Sequence, residues 1–233
     1  MAGLRSAASS QEARCADWSV RRKGGEMAVS GFREQWRQAL PLVGVPRLLR
    51  PWLREPGSLT ARCLRHCRDF RVRLLRQESA APLVEMGVEG RRCLPLREVL
   101  LECDGRPVVF AHSVLSAPHS GALGRWFAGL GCRSLGSLLF THPGFQRGPI
   151  EYLRLQQTHP LHRQLCHALD EEQPVLWARR SSHALKGGCV LVTEVFLVPG
   201  VLALSATQVS PLSAGMPPKP SRSESERAAV SMA

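Results

Sequence analysis

Leu94-Pro-Leu-Arg-Glu-Val-Leu-Leu-Glu-Cys103, then Asp104-Gly105, then Pro107-Val-Val-Phe-Ala-His-Ser-Val-Leu115 is the stretch that decides the fold. Both arms are apolar and of strand length, and Asp-Gly supplies the positive φ angles that a tight turn between antiparallel strands requires. The pattern recurs downstream, where Pro174-Val-Leu-Trp-Ala-Arg-Arg-Ser-Ser-His183 is joined to Cys189-Val-Leu-Val-Thr-Glu-Val-Phe-Leu197 through Lys186-Gly-Gly188. Upstream, Phe70-Arg-Val-Arg-Leu alternates with period two, as a half-exposed strand does. Three helices are expected around these strands. Ser58 is a plausible N-cap for Leu-Thr-Ala-Arg-Cys-Leu-Arg, and Gly121 to Leu130 puts Leu123, Trp126, Phe127 and Leu130 on one face. Phe32, Trp36 and Leu40, at four-residue spacing, suggest the third. Hairpins with segregated helices predict an α+β fold, a single domain whose central antiparallel sheet is covered on one side.

That domain is expected over residues 31–204. Residues 1–30 mix Ala, Ser, Gly and charge without a period and read as a disordered leader. The Ser-, Pro- and Ala-rich stretch 205–233 reads as a disordered tail. A 44% apolar fraction in 233 residues is enough for a sizeable core. The net charge of +12 is carried almost wholly by arginine, since Lys23, Lys186 and Lys219 are the only lysines. Such a field attracts anions, although a bias of Arg over Lys accounts for it equally simply. Eight scattered cysteines without a CxxC pair read as small buried hydrophobes in a reducing compartment. No export signal is visible, and the longest apolar run, Cys189 to Leu204, is interrupted by Glu194 and Pro199-Gly200. A cytoplasmic protein with no stable membrane insertion is expected. There is no GxGxxG or GxxxxGK[ST], hence no support for a nucleotide-binding fold.

Glu194 is the most informative residue. Val190, Val192, Glu194, Phe196 and Val198 share one strand face, and a carboxylate in such a stripe needs a buried cationic partner, a pocket, or a proton. The alternative is a solvated sheet edge. Arg97 poses the mirror problem among Leu94-Pro-Leu and Val-Leu-Leu: it either forks onto a carboxylate, from Glu194 or a ligand, or lies exposed beside Glu98. His159, His162 and His167, and Cys63, His66 and Cys67, lack a second ligand pair at structural zinc spacing, so no metal site is expected. No GxSxG elbow supports Ser-His-Asp chemistry. The Arg-rich run from Arg62 to Arg76 lacks interleaved aromatics, and no nucleic-acid partner is expected.

The motifs together resemble the chorismate–pyruvate lyase family of ubiquinone biosynthesis, over residues of about 31–200. The matching blocks are Trp52-Leu53 with Gly57-Ser-Leu-Thr60, Leu96-Arg-Glu-Val-Leu-Leu101, Asp104-Gly-x-Pro107, Leu130-Gly131 with Leu135-Gly-x-Leu-Leu-Phe140, Trp177-Ala-Arg-Arg-Ser181 and Leu191-Val-Thr-Glu-Val-Phe-Leu197. Each is weak alone; six in family order are specific. The resemblance implies an antiparallel sheet with an internal ligand cavity beneath helical flaps. It assigns Arg97 to a ligand carboxylate, the Leu135 backbone and Leu59 to ligand contact, and Glu194 to the reacting end. Relatives often carry an arginine after the Asp-Gly turn where this chain has His112, which would then help to cover the cavity.

What the resemblance implies in chemistry is conversion of chorismate to 4-hydroxybenzoate and pyruvate by a monomer. Aromatisation drives the reaction, so no cofactor is expected. Arg97 would hold a carboxylate while Glu194, its pKa raised by burial, manages a proton. The rival is a non-catalytic metabolite sensor, akin to the ligand-binding domains of bacterial transcription regulators.

Overall fold

The computed structural model describes residues 36–207 except 42, 81–92, 117–120, 142–143 and 186–187. In chain order the elements are α1 (Arg50–Leu53), α2 (Leu59–His66), β1 (Phe70–Ala80), β2 (Leu94–Cys103), β3 (Arg106–Leu115), α3 (Ala122–Ala128), α4 (Leu135–Thr141), β4 (Gln146–Arg147), β5 (Glu151–Leu155), α5 (Pro160–Leu169), β6 (Leu176–Leu185), β7 (Gly188–Phe196) and α6 (Val198–Thr207). The strands form one antiparallel sheet in the order β1-β2-β3-β7-β6-β4, with β5 also paired to β6. The fold class is α+β, as the hairpins predict.

Local chemistry accounts for the frame. Asp104 and Gly105 both take positive φ, 50° and 75°, closing β2 onto β3 in a turn whose twist matches the strands. Ser58 caps α2, its Oγ accepting from the Ala61 N–H at 3.4 Å. β1 alternates between half-buried and exposed residues, as its period-two sequence requires. The turn of the second hairpin falls on residues outside those described, but β6 and β7 pair across it to Leu185 and Gly188. α6 starts through Pro199-Gly200, and position 200 requires glycine because it lies against the Pro107 carbonyl, where a Cβ would collide.

Two expectations are corrected. The sheet is covered on both faces, not one. On one face Val99, Leu101, Trp177 and Phe196 pack with Trp52 and Leu53 of α1, Leu59 and Cys63 of α2 and Val201 of α6. Further along that face, Val190 and Val192 meet Phe127 of α3 and Leu135 and Leu139 of α4. On the other, Leu100, Phe110, Ala178 and Val195 pack against Leu161 and Leu165 of α5 and against Trp36. The strands accordingly read as apolar runs rather than clean alternations, since both sides are shielded. Secondly, residues 36–40 are not helical. Arg37 exchanges backbone hydrogen bonds of 3.0 and 2.7 Å with Tyr152, so this segment is a bridge onto β5. Phe32 lies outside the described residues, as do residues 1–30 and 208–233. α6 extends to Thr207, past the position 205 where a tail is expected to begin.

Candidate active site

Side-chain parity on four strands assembles the site. Arg97 of β2 stands opposite Ser113 of β3, Ser113 opposite Val192 of β7, and Val192 opposite Ser181 of β6. The next row of the same face runs Val99, Ala111, Glu194, Arg179. These two rows floor a pocket of about 40 Å³ that is walled by Leu59 and Thr60 of α2, by Leu135, Gly136, Leu139 and Phe140 of α4, and by Arg147 and His183. The structure therefore brings Leu59, Arg97, Leu135 and Glu194 to one pocket, four residues spread over most of the domain.

Arg97 and Glu194 share the pocket but do not pair. They sit two strands and two residues apart, which separates their Cα atoms by roughly 12 Å. Arg97 is 1% exposed. Its Nη2 donates to the Gly131 and Arg133 carbonyls at 2.9 and 2.7 Å, and its Nε to Gly131 at 3.3 Å. Gly131, at φ 53°, turns the chain between α3 and α4 so that these carbonyls face the guanidinium. Among the described residues, no carboxylate reaches it. Burial pushes its pKa below the usual arginine range.

Glu194 has a partner that the strand pattern alone does not name. Arg179, its direct cross-strand neighbour, donates Nε to Glu194 Oε2 at 2.6 Å. Arg179 is itself 1% exposed and its Nη1 donates to the Glu55 and Leu53 carbonyls at 2.6 and 3.3 Å. The Glu194 side chain, 15% exposed, is thus held by a guanidinium tethered to the end of α1. Of the three situations open to a carboxylate in that stripe, the structure shows a buried cationic partner at the edge of a pocket.

Arg147 and His183 complete the polar lining. Arg147 donates Nε to Ser181 Oγ at 3.1 Å and stacks over Phe140, 5.2 Å from the ring centroid. Its pKa is lowered first by burial and then by Arg179. His183 approaches Ser181 Oγ at 3.2 Å through Nε2 and meets Phe140 edge-on. Burial, then the charges of Arg147 and Arg179, bring its pKa down to about 3, so it is neutral at physiological pH. The pocket face holds three guanidinium groups and one carboxylate, a surplus of two positive charges.

His112 is not in this pocket. Between Ala111 and Ser113, which face the pocket, it points to the opposite side of the sheet, where Nδ1 lies 2.7 Å from Glu98 Oε1. The expectation that it covers the cavity is corrected by strand parity alone. The other histidines of interest serve the fold: His159 Nδ1 accepts from the Leu161 N–H at the start of α5, and His162 Nε2 donates to the Pro174 carbonyl. Among the described residues, no group of three or more His, Cys, Asp or Glu is arranged to hold a metal ion. No helix among them is long and apolar enough to cross a membrane.

Two helices close the pocket. Thr60 of α2 and Ser134, which caps α4 by accepting from Ser137 N–H at 3.2 Å, share a 2.6 Å hydroxyl–hydroxyl bond. A volume of 40 Å³ admits a water molecule but not a carboxylated ring.

Comparison with known proteins gives the family. A solved structure of the C-terminal domain of histidine utilization repressor from Pseudomonas syringae pv. tomato str. DC3000 overlaps 57% of this chain and 94% of its own at 8% identity and a TM-score of 0.40, too partial to bear on function. A protein of Dechloromonas aromatica named "Probable chorismate pyruvate-lyase" is 54% identical over 168 residues, covering 71% of this chain and 95% of that protein. One of the same name from Aromatoleum aromaticum is 42% identical over 186 residues, covering 76% and 99%. The profile of the family described as "Chorismate lyase" matches residues 32–205, and this chain belongs to that family.

Proposed function

We propose that this protein is a chorismate lyase, eliminating pyruvate from chorismate to leave 4-hydroxybenzoate. The observation that carries the reading is Arg97, a buried cation whose partners among the described residues are backbone carbonyls, in a pocket whose side chains sum to two positive charges. A buried charge without a counter-ion is costly, and binding an anion offsets that cost. Chorismate is a dianion, and the surplus matches it.

In this reading Arg97 takes the ring carboxylate, the Leu135 backbone supports it, and Leu59 lies against the ring. Glu194 sits at the far end. Elimination breaks the ether C–O bond, removes the ring proton on the adjacent hydroxyl-bearing carbon, and delivers a proton to the methylene of the departing enolpyruvate. The ring electrons gained are those of the lost C–H bond, so no redox agent enters the balance. In this reading Glu194, which Arg179 orients, accepts the ring proton. Arg147 is the remaining cation available to the second carboxylate. The same reading puts the reaction at the first committed step of ubiquinone biosynthesis, in the cytoplasm, on a monomer.

The test is to mix purified protein with chorismate, without metal or nucleotide, and follow 4-hydroxybenzoate by absorbance. Turnover supports the reading. Binding of chorismate or 4-hydroxybenzoate without turnover would overturn it in favour of a metabolite sensor.

A further inference from the structure

Away from the pocket, three cysteines meet where the end of α2 reaches the end of β2. Cys63 and Cys67 are one helical turn apart, and Cys103 is the last residue of its strand. Cys67 Sγ lies 2.8 Å from Cys103 Sγ and 3.2 Å from the Cys63 carbonyl, and the Cys63 thiol is also hydrogen-bonded to Cys103. Cys63 and Cys103 are buried, whereas Cys67 is partly exposed and gives a reagent its way in. The backbone fixes the arrangement. Asp104 Oδ1 accepts from the Arg68 and Asp69 N–H groups at 3.0 and 2.9 Å, and the Asp104 N–H donates to the Asp69 carbonyl at 2.8 Å. The residues following each sulfur are thus tied together, and the two sulfurs are held close without a bond between them.

We propose that Cys67 and Cys103 form a dithiol–disulfide site, closed by exchange with a small disulfide of the glutathione class. Cys67 loses its proton to solvent and attacks one sulfur of the reagent, forming a mixed disulfide and releasing one thiolate. Cys103, deprotonated in turn, attacks the Cys67 sulfur and expels the second thiolate. Two protein thiols are oxidised and one reagent disulfide is reduced to two thiols, so electrons and atoms balance. Burial, then contact with Cys103, pushes the Cys67 thiol up to about 12, and the bond with Cys63 and burial raise Cys103 further. Exchange therefore starts slowly near neutrality and accelerates with pH. The reduced form gains nothing from ionisation, so the closed disulfide resists reduction. This staple would pin the end of the helix whose first turn, Leu59 and Thr60, walls the pocket.

The test is equilibration of the full chain at pH 8.5 in a series of reduced and oxidised glutathione ratios, followed by acid quenching and non-reducing peptide mass spectrometry. The expected product is a Cys67–Cys103 peptide pair, formed faster as pH rises, with a midpoint of unfolding raised on the order of 5–10 °C. In Cys103→Ser, glutathione should instead accumulate on Cys67, and Cys67→Ser should form neither product while keeping the wild-type Tm under reducing conditions. A wild-type protein that remains fully alkylatable at Cys67 and Cys103 across the series overturns the proposal. So does one that stops at the Cys67–glutathione adduct, or closes Cys63 with Cys67 instead.

Discussion

The two faces of the sheet carry similar residues and treat them oppositely. On the face against α5, Glu98 is 3% exposed, yet His112 Nδ1 lies 2.7 Å and Gln164 Nε2 2.6 Å from the same oxygen. Arg180 on that face donates to Glu151 at 2.8 Å and stacks over Trp36 at 4.3 Å. Each charge there meets an opposite charge or a donor supplied by the fold. On the pocket face Arg179 pairs with Glu194, but Arg97, one residue along from Glu98, meets carbonyls, and Arg147 of β4 a hydroxyl and a carbonyl. A fold selected only to be stable has no use for that imbalance, because burying uncompensated charge destabilises it. The difference separates what holds this molecule together from what it binds, and it can be attacked from either side.

The largest effect is expected at the reacting end. Glu194→Gln keeps the shape of the side chain and a hydrogen bond from Arg179 but removes the proton acceptor, so kcat should fall by about 10²–10⁴-fold while 4-hydroxybenzoate still binds. Wild-type turnover in this variant would remove Glu194 from the mechanism. Next comes Arg97→Met, which deletes the cation held by the Gly131 and Arg133 carbonyls. The loss of charged hydrogen bonds should weaken 4-hydroxybenzoate roughly 10- to 150-fold. Replacing a buried uncompensated charge by an apolar chain of similar volume is often neutral or stabilising. Calorimetry should accordingly show Tm unchanged or raised alongside that lost affinity. A large fall in Tm with intact binding would mean that Arg97 serves the fold.

Much of this contrast is legible in the amino-acid sequence. Asp104-Gly105 marks the first hairpin, and Glu194 in a valine stripe and Arg97 in a leucine stripe mark two charges on apolar strands. What stays hidden is long-range. Arg179 and Arg180 look alike in Trp-Ala-Arg-Arg-Ser; only the register against Glu194 and Glu151 shows that one faces the pocket and the other the back. The period-two pattern of Trp177, Arg179, Ser181 and His183 is the available signal for the site residues that the sequence motifs do not single out. The same parity moves His112 to the back face. Trp36 misleads because its spacing to Leu40 mimics a helix, while the backbone bonds that decide it come from Tyr152, more than a hundred residues away.

A smaller effect, and of the other kind, is expected from Glu98→Gln on the back face. It abolishes the charge that meets His112 and Gln164, and should lower Tm by roughly 5 °C. Kinetic constants for chorismate should stay within about twofold of wild type, since the side chain is screened from the pocket by the sheet itself. A KM shift as large as that of Arg97→Met would show that the two faces are not independent.

The smallest effect concerns His183, a pocket residue whose neutrality is imposed by its neighbours. Its folded pKa, about 3, lies below the unfolded value near 6.5, so the unfolded chain binds a proton that the folded chain refuses. Stability from this source is fully present above pH 6.5 and is lost as pH falls from 6.5 toward 3. His183→Asn should therefore flatten part of the decline in Tm between pH 6.5 and 4, with little change at pH 8. Because the folded imidazole does not titrate between pH 5 and 8, the same variant should leave the shape of the kcat/KM profile in that range unaltered. A profile that loses an inflection near 6.5 in His183→Asn would mean that the imidazole does take up a proton beside Arg147 and Arg179, and the two-charge surplus assigned to the pocket would then be too low.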